Sequence, residues 1–192
     1  MEIQALFISD VHIGSKGSNA IKLCKVLREY NPKEIFIIGD FIDGWLLRRR
    51  WYWRLEYTLL IKQLMELASN GTKIIYVTGN HDDLGKIGSV GYEFAIWVDR
   101  IIKKLGYKKS FSKWLKNTVK DAVKFVTDFE NQLGWQAKKR NCIGVICGHI
   151  HTPVDKIIRV GDEPIRYLNC GDWIENNSYI VFDKDFKIYS YE

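Results

Sequence analysis

Long hydrophobic runs are missing from this chain of 192 residues. No apolar stretch approaches the roughly 18–20 residues that a membrane-spanning helix needs, so a helical span is excluded. No basic segment leads into an apolar one near Met1, so no secretory signal is expected and the chain reads as cytoplasmic. Paired cysteines are missing too. Cys24, Cys142, Cys147 and Cys170 show no C-x-x-C spacing, which points away from a structural thiolate zinc site. Cys142, Cys147 and Cys170 lie in or beside apolar runs and are expected as buried free thiols in a reducing compartment. There is no internal repeat, no low-complexity segment and no recognised nucleic-acid-binding module. The aromatics cluster rather than interleave along a groove, so nucleic acid is a poor candidate partner.

What is present suits one folded domain over residues 1–192. The chain is 46% apolar and 14% aromatic, enough for a real core. Its net charge of +6 comes from 29 Lys and Arg against 23 Asp and Glu. That excess admits an anionic partner, but a lysine-rich solvated surface explains it equally well.

Histidine is scarce, and its placement is not random. All four histidines sit in short Gly-, Asp- or Asn-rich tags. His12 lies in Asp10-Val11-His12, His81 in Gly79-Asn80-His81-Asp82, and the last pair in Gly148-His149-Ile150-His151. A further tag, Gly39-Asp40-Phe41-Ile42-Asp43, carries no histidine. Each tag follows a short apolar run, at residues 5–9, 35–38, 74–77 and 143–147. Such runs read as buried strands, which places the tags in loops at strand ends.

Between the tags the pattern alternates. Ser18 or Asn19 is placed to cap a helix carrying Ile21, Cys24 and Leu27, which Asn31-Pro32 ends. Strand, helix and strand in that order predict a parallel pair. Leu55, Leu59, Leu60, Leu64, Leu67 and Ala68 predict the next helix, stopped at Asn70-Gly71. Residues 92–137 change to helical spacing and read as a cap-like insertion. Within it Leu115, Val119, Ala122, Val126, Phe129 and Leu133 form a seam for packing on another helix or on the body of the protein. Lys113, Lys116, Lys120 and Lys124 recur on another face, solvated or turned to an anionic membrane. Residues 154–160, 165–170, 178–183 and 186–191 read as strands joined in hairpins.

The segment 45–54 stands apart, with Arg48, Arg49, Arg50 and Arg54 set among Trp45, Trp51 and Trp53. It fits either a phosphate with a stacked ring or acyl chain, or an ordinary loop with buried tryptophans.

Any one tag occurs by chance. Four tags in order, each after a strand-like run and together using every histidine, carry chemistry. They supply Asp10, His12, Asp40, Asn80, His149 and His151, which are oxygen and nitrogen donors without thiolate. Such a set suits borderline divalent ions such as Mn²⁺, Fe²⁺ or Zn²⁺. An Asp between two such ions can bridge them over a phosphoryl group.

These tags resemble the calcineurin-like metallophosphoesterase superfamily. A narrower resemblance, to its UDP-2,3-diacylglucosamine pyrophosphohydrolase branch, rests on residues 8–14, 39–45 with Arg49, Trp51-Tyr52-Trp53, 112–116, 126–130, 145–151 and Asn169-Cys170-Gly171-Asp172-Trp173. The resemblance implies an α/β fold, a four-layer α-β-β-α sandwich of two mixed sheets. It implies that Asp10, His12, Asp40 and His151 hold one metal, and that Asp40, Asn80 and His149 serve a second, with Mn²⁺ the expected ion. His81 resembles the histidine that stabilises the transition state or protonates the leaving group. Asp82 would orient it, and Asp43 would support the ligands. Arg49, Trp51, Trp53 and Lys113 would touch substrate. The implied reaction, in lipid A biosynthesis, cleaves UDP-2,3-diacylglucosamine to lipid X and UMP, with peripheral contact to an anionic membrane. The alternatives are another phosphoester, such as a nucleotide or phosphodiester, or a catalytically impaired relative that binds a metal or a phospholipid-like ligand.

One family motif has no counterpart. A Gly-His or His-Gly-Asp tag on its own strand supplies a histidine to the second ion, but no histidine lies between His81 and His149. The expectation is a weaker second ion, a single ion, or an inactive protein, unless Asp83 or water substitutes.

Overall fold

The computed structural model describes residues 1–82 and 111–192, with the side chains of 111–123 left out. Two sheets organise it. The first has five strands in the order β3-β2-β1-β7-β8. Here β1 is Glu2–Ser9, β2 Asn31–Ile38, β3 Lys73–Val77, β7 Ser178–Phe182 and β8 Phe186–Ser190. β1, β2 and β3 pair in parallel, while β7 joins β1, and β8 joins β7, antiparallel. The second sheet has the order β4-β6-β5, with β4 Gly144–Cys147, β5 Val154–Val160 and β6 Glu163–Asn169. It is mixed as well: β4 runs parallel to β6, and β5 antiparallel.

Alternation along β1 sorts the core into layers. Leu6 and Ile8 face α1 (Ala20–Glu29) and α3 (Leu55–Ser69), joining Leu23, Leu27, Tyr57 and Leu60. Ala5 and Phe7 face the second sheet and meet Leu168, Cys170 and Ile180. The outer face of the second sheet buries Val160 and Ile165 against Ala137 of α4 (Phe111–Lys139). The three interfaces make the four layers α-β-β-α. Gly134 lets α4 sit close, because a Cβ there would lie 2.6 Å from Val160 Cγ2 and 2.8 Å from Ile158 Cδ1. The predicted seam therefore packs on the body of the protein. Val126, Phe129 and Leu133 are half-buried along it, and Glu130 beside them is buried and paired with Lys156 at 2.7 Å.

Four expectations need correction or lie out of reach. Leu55 and Leu59 are 73% and 40% exposed, because they lie on the face of α3 opposite Tyr57, Leu60 and Leu64, which enter the core. Asn19 does precede α1 but caps nothing with its side chain, which donates instead to the Ile174 carbonyl and Asn177 Oδ1. Cys142 is exposed in the turn before β4, whereas the other three free cysteines are buried. The predicted helix over Phe94 to Leu105, and Asp83, lie outside the described residues.

Candidate metal centre

The first three tags come together because β1, β2 and β3 are neighbours in the first sheet, and the fourth meets them from the end of β4 in the second. Past the strand ends the backbone keeps pairing: Asp10 N–H donates to the Gly39 carbonyl, His12 N–H to Asp40, and Gly39 N–H to Val77. Asp43 N–H donates to Ile13, and Gly44 N–H to the His81 carbonyl. At the tags themselves the chain turns left-handed. Asp10, His12, Asp40, His149 and His151 have φ of +49°, +49°, +48°, +74° and +58°, a region unfavourable for residues with a Cβ. Such positions persist where surrounding contacts force them, and they cluster at functional sites. Two glycines make room. A Cβ on Gly148 would meet Asp10 Oδ2 and lie 2.6 Å from Ser9 Cβ, and one on Gly79 would lie 2.8 Å from Asp40 Cγ.

The side chains converge on a cleft of about 370 Å³ lined by His12, Asp40, Asp43, His81, His149 and His151, with Ser15, Leu46 and Ile174 at its sides. Asp10 sits beneath it, 1% exposed. Its Oδ1 lies 3.1 Å from His151 Nε2 and 3.9 Å from His12 Nε2, and its Oδ2 accepts from His149 N–H at 2.9 Å. His12 Nε2 is buried and has no hydrogen-bond partner among the described residues. The ligand atoms of Asp10, His12 and His151 all lie within 4.8 Å of one another. One carboxylate oxygen, one orphaned ring nitrogen and a second ring nitrogen thus fit a divalent cation.

A second group, His12, Asp43 and His81, is equally tight. It is a hydrogen-bonded set. Asp43 Oδ2 lies 3.3 Å from His12 Nδ1, and Oδ1 lies 3.3 Å from His81 Nδ1 while accepting from Leu46 N–H at the start of α2 (Gly44–Arg49). Burial pushes the Asp43 carboxyl up, but these hydrogen bonds outweigh it and hold the group far below the usual carboxylate range. The same carboxylate raises the His81 imidazole above its ordinary value, and Asp10 does so for His151. Burial raises Asp40 against the His81 N–H that its Oδ1 accepts at 2.7 Å.

Other expected residues fall at varying distances from this centre. Asp82 was expected to orient His81, but its two oxygens accept from Ile42 N–H and Gly79 N–H at 2.7 and 2.8 Å, and Asp43 is the carboxylate at the His81 ring nitrogen. Asn80 is exposed. His149 is exposed as well, with the rings of Phe129 and Phe125 of α4 at 5.5 and 6.5 Å. Trp51 and Trp53 stack on each other at 5.7 Å, Trp51 being 73% exposed, and the Arg49 guanidinium lies 4.2 Å from the Trp45 ring. Neither Arg49 nor the two tryptophans line the cleft. Lys113 belongs to α4, and its side chain is outside the described part.

Sequence reasoning passed over Asp172. It is 1% exposed, with Oδ2 at 3.5 Å from His151 Nδ1. A signal existed: Cys170-Gly171-Asp172 repeats the apolar-Gly-Asp pattern of Ile38-Gly39-Asp40, but without a histidine to draw attention.

Comparison with known proteins bears on this geometry. Among solved structures, similar chains include a conserved uncharacterised protein from Streptococcus pneumoniae described as a predicted phosphoesterase, at 17% identity, TM-score 0.41, covering 98% of this chain and 97% of that one. A dimetal phosphatase from Danio rerio is similar at 13% identity, TM-score 0.48, with 98% of both chains covered. A Vps29 single mutant from Entamoeba histolytica is similar at 15% identity, TM-score 0.49, over 96% of this chain and 89% of that one. No curated protein matches. The model of the calcineurin-like phosphoesterase family matches residues 3–153. That span takes in every tag from Asp10 to His151 and most of the sequence, and the chain belongs to the calcineurin-like phosphoesterase family.

Proposed function

We propose that the protein is a metal-dependent hydrolase of a phosphate or pyrophosphate ester. The observation that carries this reading is the buried, unpartnered His12 Nε2 set against Asp10 and His151 at the floor of the cleft. A divalent ion bound there by Asp10, His12 and His151, with Asp40 beside them, would polarise a phosphoryl oxygen and acidify a water. His81 supplies the proton to the leaving oxygen. The hydrogen bond to Asp43 raises its imidazole above the ordinary value, which favours the protonated form that donates. Asp43 keeps the rings of His12 and His81 turned to their tasks, and Asp82 holds the backbone at Gly79 and Ile42 in place.

For the substrate we propose UDP-2,3-diacylglucosamine, with Mn²⁺ as the ion. Support comes from the motif resemblance and from the aromatic and basic segment 45–54. The cap assigned to residues 92–137 would sit near the acyl chains, with its lysines toward anionic lipid and the protein cytoplasmic, peripheral to the inner membrane. Among the described residues no helix is long and apolar enough to cross a membrane. The absence of a histidine between His81 and His149 favours one competing reading, a relative that binds metal without turning over. The test is hydrolysis with Mn²⁺ of bis-p-nitrophenyl phosphate, nucleotides and UDP-2,3-diacylglucosamine, alongside a metal count per chain. Release of UMP from the last supports the specific substrate. Turnover of the others alone supports the class only. Bound metal without turnover of any of them supports the binding protein.

A further inference from the structure

Five groups meet the Asp172 carboxylate. Oδ1 accepts three backbone N–H groups, from Ile174, Glu175 and Asn176 at 2.9, 2.7 and 3.0 Å. Oδ2 accepts from Asn176 Nδ2 at 3.0 Å and faces His151 Nδ1 at 3.5 Å. The turn that holds this carboxylate is tied to the metal floor from several sides. Trp173 N–H donates to the Asp10 carbonyl, Ser9 Oγ to the Gly171 carbonyl, and Asn176 Nδ2 to the His151 carbonyl at 2.6 Å. Asn169, just before the turn, donates to the Gly148 carbonyl and accepts from Gly171 N–H.

We infer that Asp172 is a positioning residue for the metal centre: it fixes the His151 ring with a proton on Nδ1, leaving Nε2 free to face Asp10 and ligate. This rests on the reading of Asp10, His12 and His151 as metal ligands. The physical basis is general. An imidazole that ligates through one nitrogen donates the other N–H to a carboxylate or carbonyl, which sets both tautomer and ring angle. Asp172 is suited to this because every other position on its oxygens is filled and the turn cannot swing. Removing such a partner typically costs about 10–100-fold in metal affinity.

The discriminating variant is Asp172→Asn. Its amide oxygen can keep the three backbone N–H bonds at the Oδ1 position. Its NH₂ then faces His151 Nδ1 as a donor, which favours the tautomer that cannot ligate through Nε2. It also meets the Asn176 amide as donor against donor, so some loss of Tm is expected. Asn19→Ala supplies the control. The Asn19 side chain ties the same turn through the Ile174 carbonyl and Asn177 Oδ1, its hydrogen bonds going to neither Asp172 nor His151. Calorimetric titration with Mn²⁺ and thermal unfolding of the metal-free proteins are measured side by side. The expected result is a loss of about 10–100-fold in Mn²⁺ affinity for Asp172→Asn, and affinity within about twofold of wild type for Asn19→Ala despite a comparable drop in Tm. In Zn²⁺-loaded wild type, nitrogen NMR should show His151 protonated at Nδ1. Wild-type affinity in Asp172→Asn overturns the inference, and so does an equal loss in Asn19→Ala, which would assign the effect to the stiffness of the turn. Wild-type protein that binds no Mn²⁺ overturns the metal-site reading and this inference together, whereas the first two outcomes leave the metal site standing.

Discussion

A ring nitrogen buried without a partner, as His12 Nε2 is, costs on the order of 1–3 kcal/mol. Nothing in the apolar core requires that histidine, so the cost is repaid elsewhere, and a bound cation is the partner its neighbours suit. Asp10→Ala should therefore lower bound metal below one equivalent and abolish hydrolysis, as measured by elemental analysis and by the ester screen. It also strips the acceptor from His149 N–H, so a fall in Tm should accompany it. His81→Ala is expected to behave differently: near-normal metal content, with turnover reduced by about 10²–10⁴, the usual worth of a positioned acid or base. Loss of metal in that variant would make His81 a ligand. At this scale the sequence was legible where residue type is rare. Four histidines in three Gly-, Asp- or Asn-rich tags pointed at the cleft, while carboxylates are common and their tasks are set by geometry alone. Hence Asp43, expected to support the ligands, also meets the His81 ring where Asp82 was expected, and Asp172, in a Gly-Asp pattern without a histidine, was given no role.

Apolar runs marked where the strands lie, because their buried stretches must be apolar, but β1 and β2 begin earlier, at Glu2 and Asn31, where side chains reach solvent. β3, Lys73–Val77, takes in the apolar run 74–77, and β5 occupies the predicted residues 154–160. Helices were read less well. Leucine content suggested one apolar face, yet Tyr57 joins Leu60 and Leu64 on the buried face of α3, and Leu55 and Leu59 turn to the opposite, exposed side. α4 shows the opposite effect: Gly134, a poor helix former, lies at its tightest contact. Gly134→Val should push α4 off Val160 and Ile158 and cost about 1–3 kcal/mol in urea unfolding, the usual range for overpacking. Mn²⁺ affinity should change little, since none of the described side chains of α4 bonds to Asp10, His12 or His151. A large drop in affinity would mean that α4, through Phe129 beside His149, is part of the metal centre.

At the scale of the whole molecule, local patterns predicted a parallel sheet, but not that the chain would build a second sheet and lay it on the first. That followed from the motif resemblance, because sheet-on-sheet packing depends on contacts distant in sequence, such as Phe7 with Leu168. The missing histidine motif is a property of the molecule as well. If Asp40, Asn80 and His149 alone serve a second ion, Mn²⁺ titration should give two unequal affinities or one ion only, and activity should climb at high Mn²⁺. Two equally tight ions with high turnover would show that another group fills the position.

Asp10 closes β1 of one sheet, yet its carboxylate accepts from His149 just past β4 of the other, and His151 approaches it from the same side. An ion at Asp10 would thus act as a rivet through two plates. Its removal would loosen a seam between halves distant in sequence as well as emptying a reaction centre. A chelator should then lower Tm by an amount that grows with the logarithm of affinity, the equivalent of about 2.7 kcal/mol where the free ion stands at 100 times its Kd. Faster amide exchange should appear at the facing ends of β1 and β4 before the rest of either sheet. On this view the supply of metal governs how long the folded protein lasts as well as how fast it works.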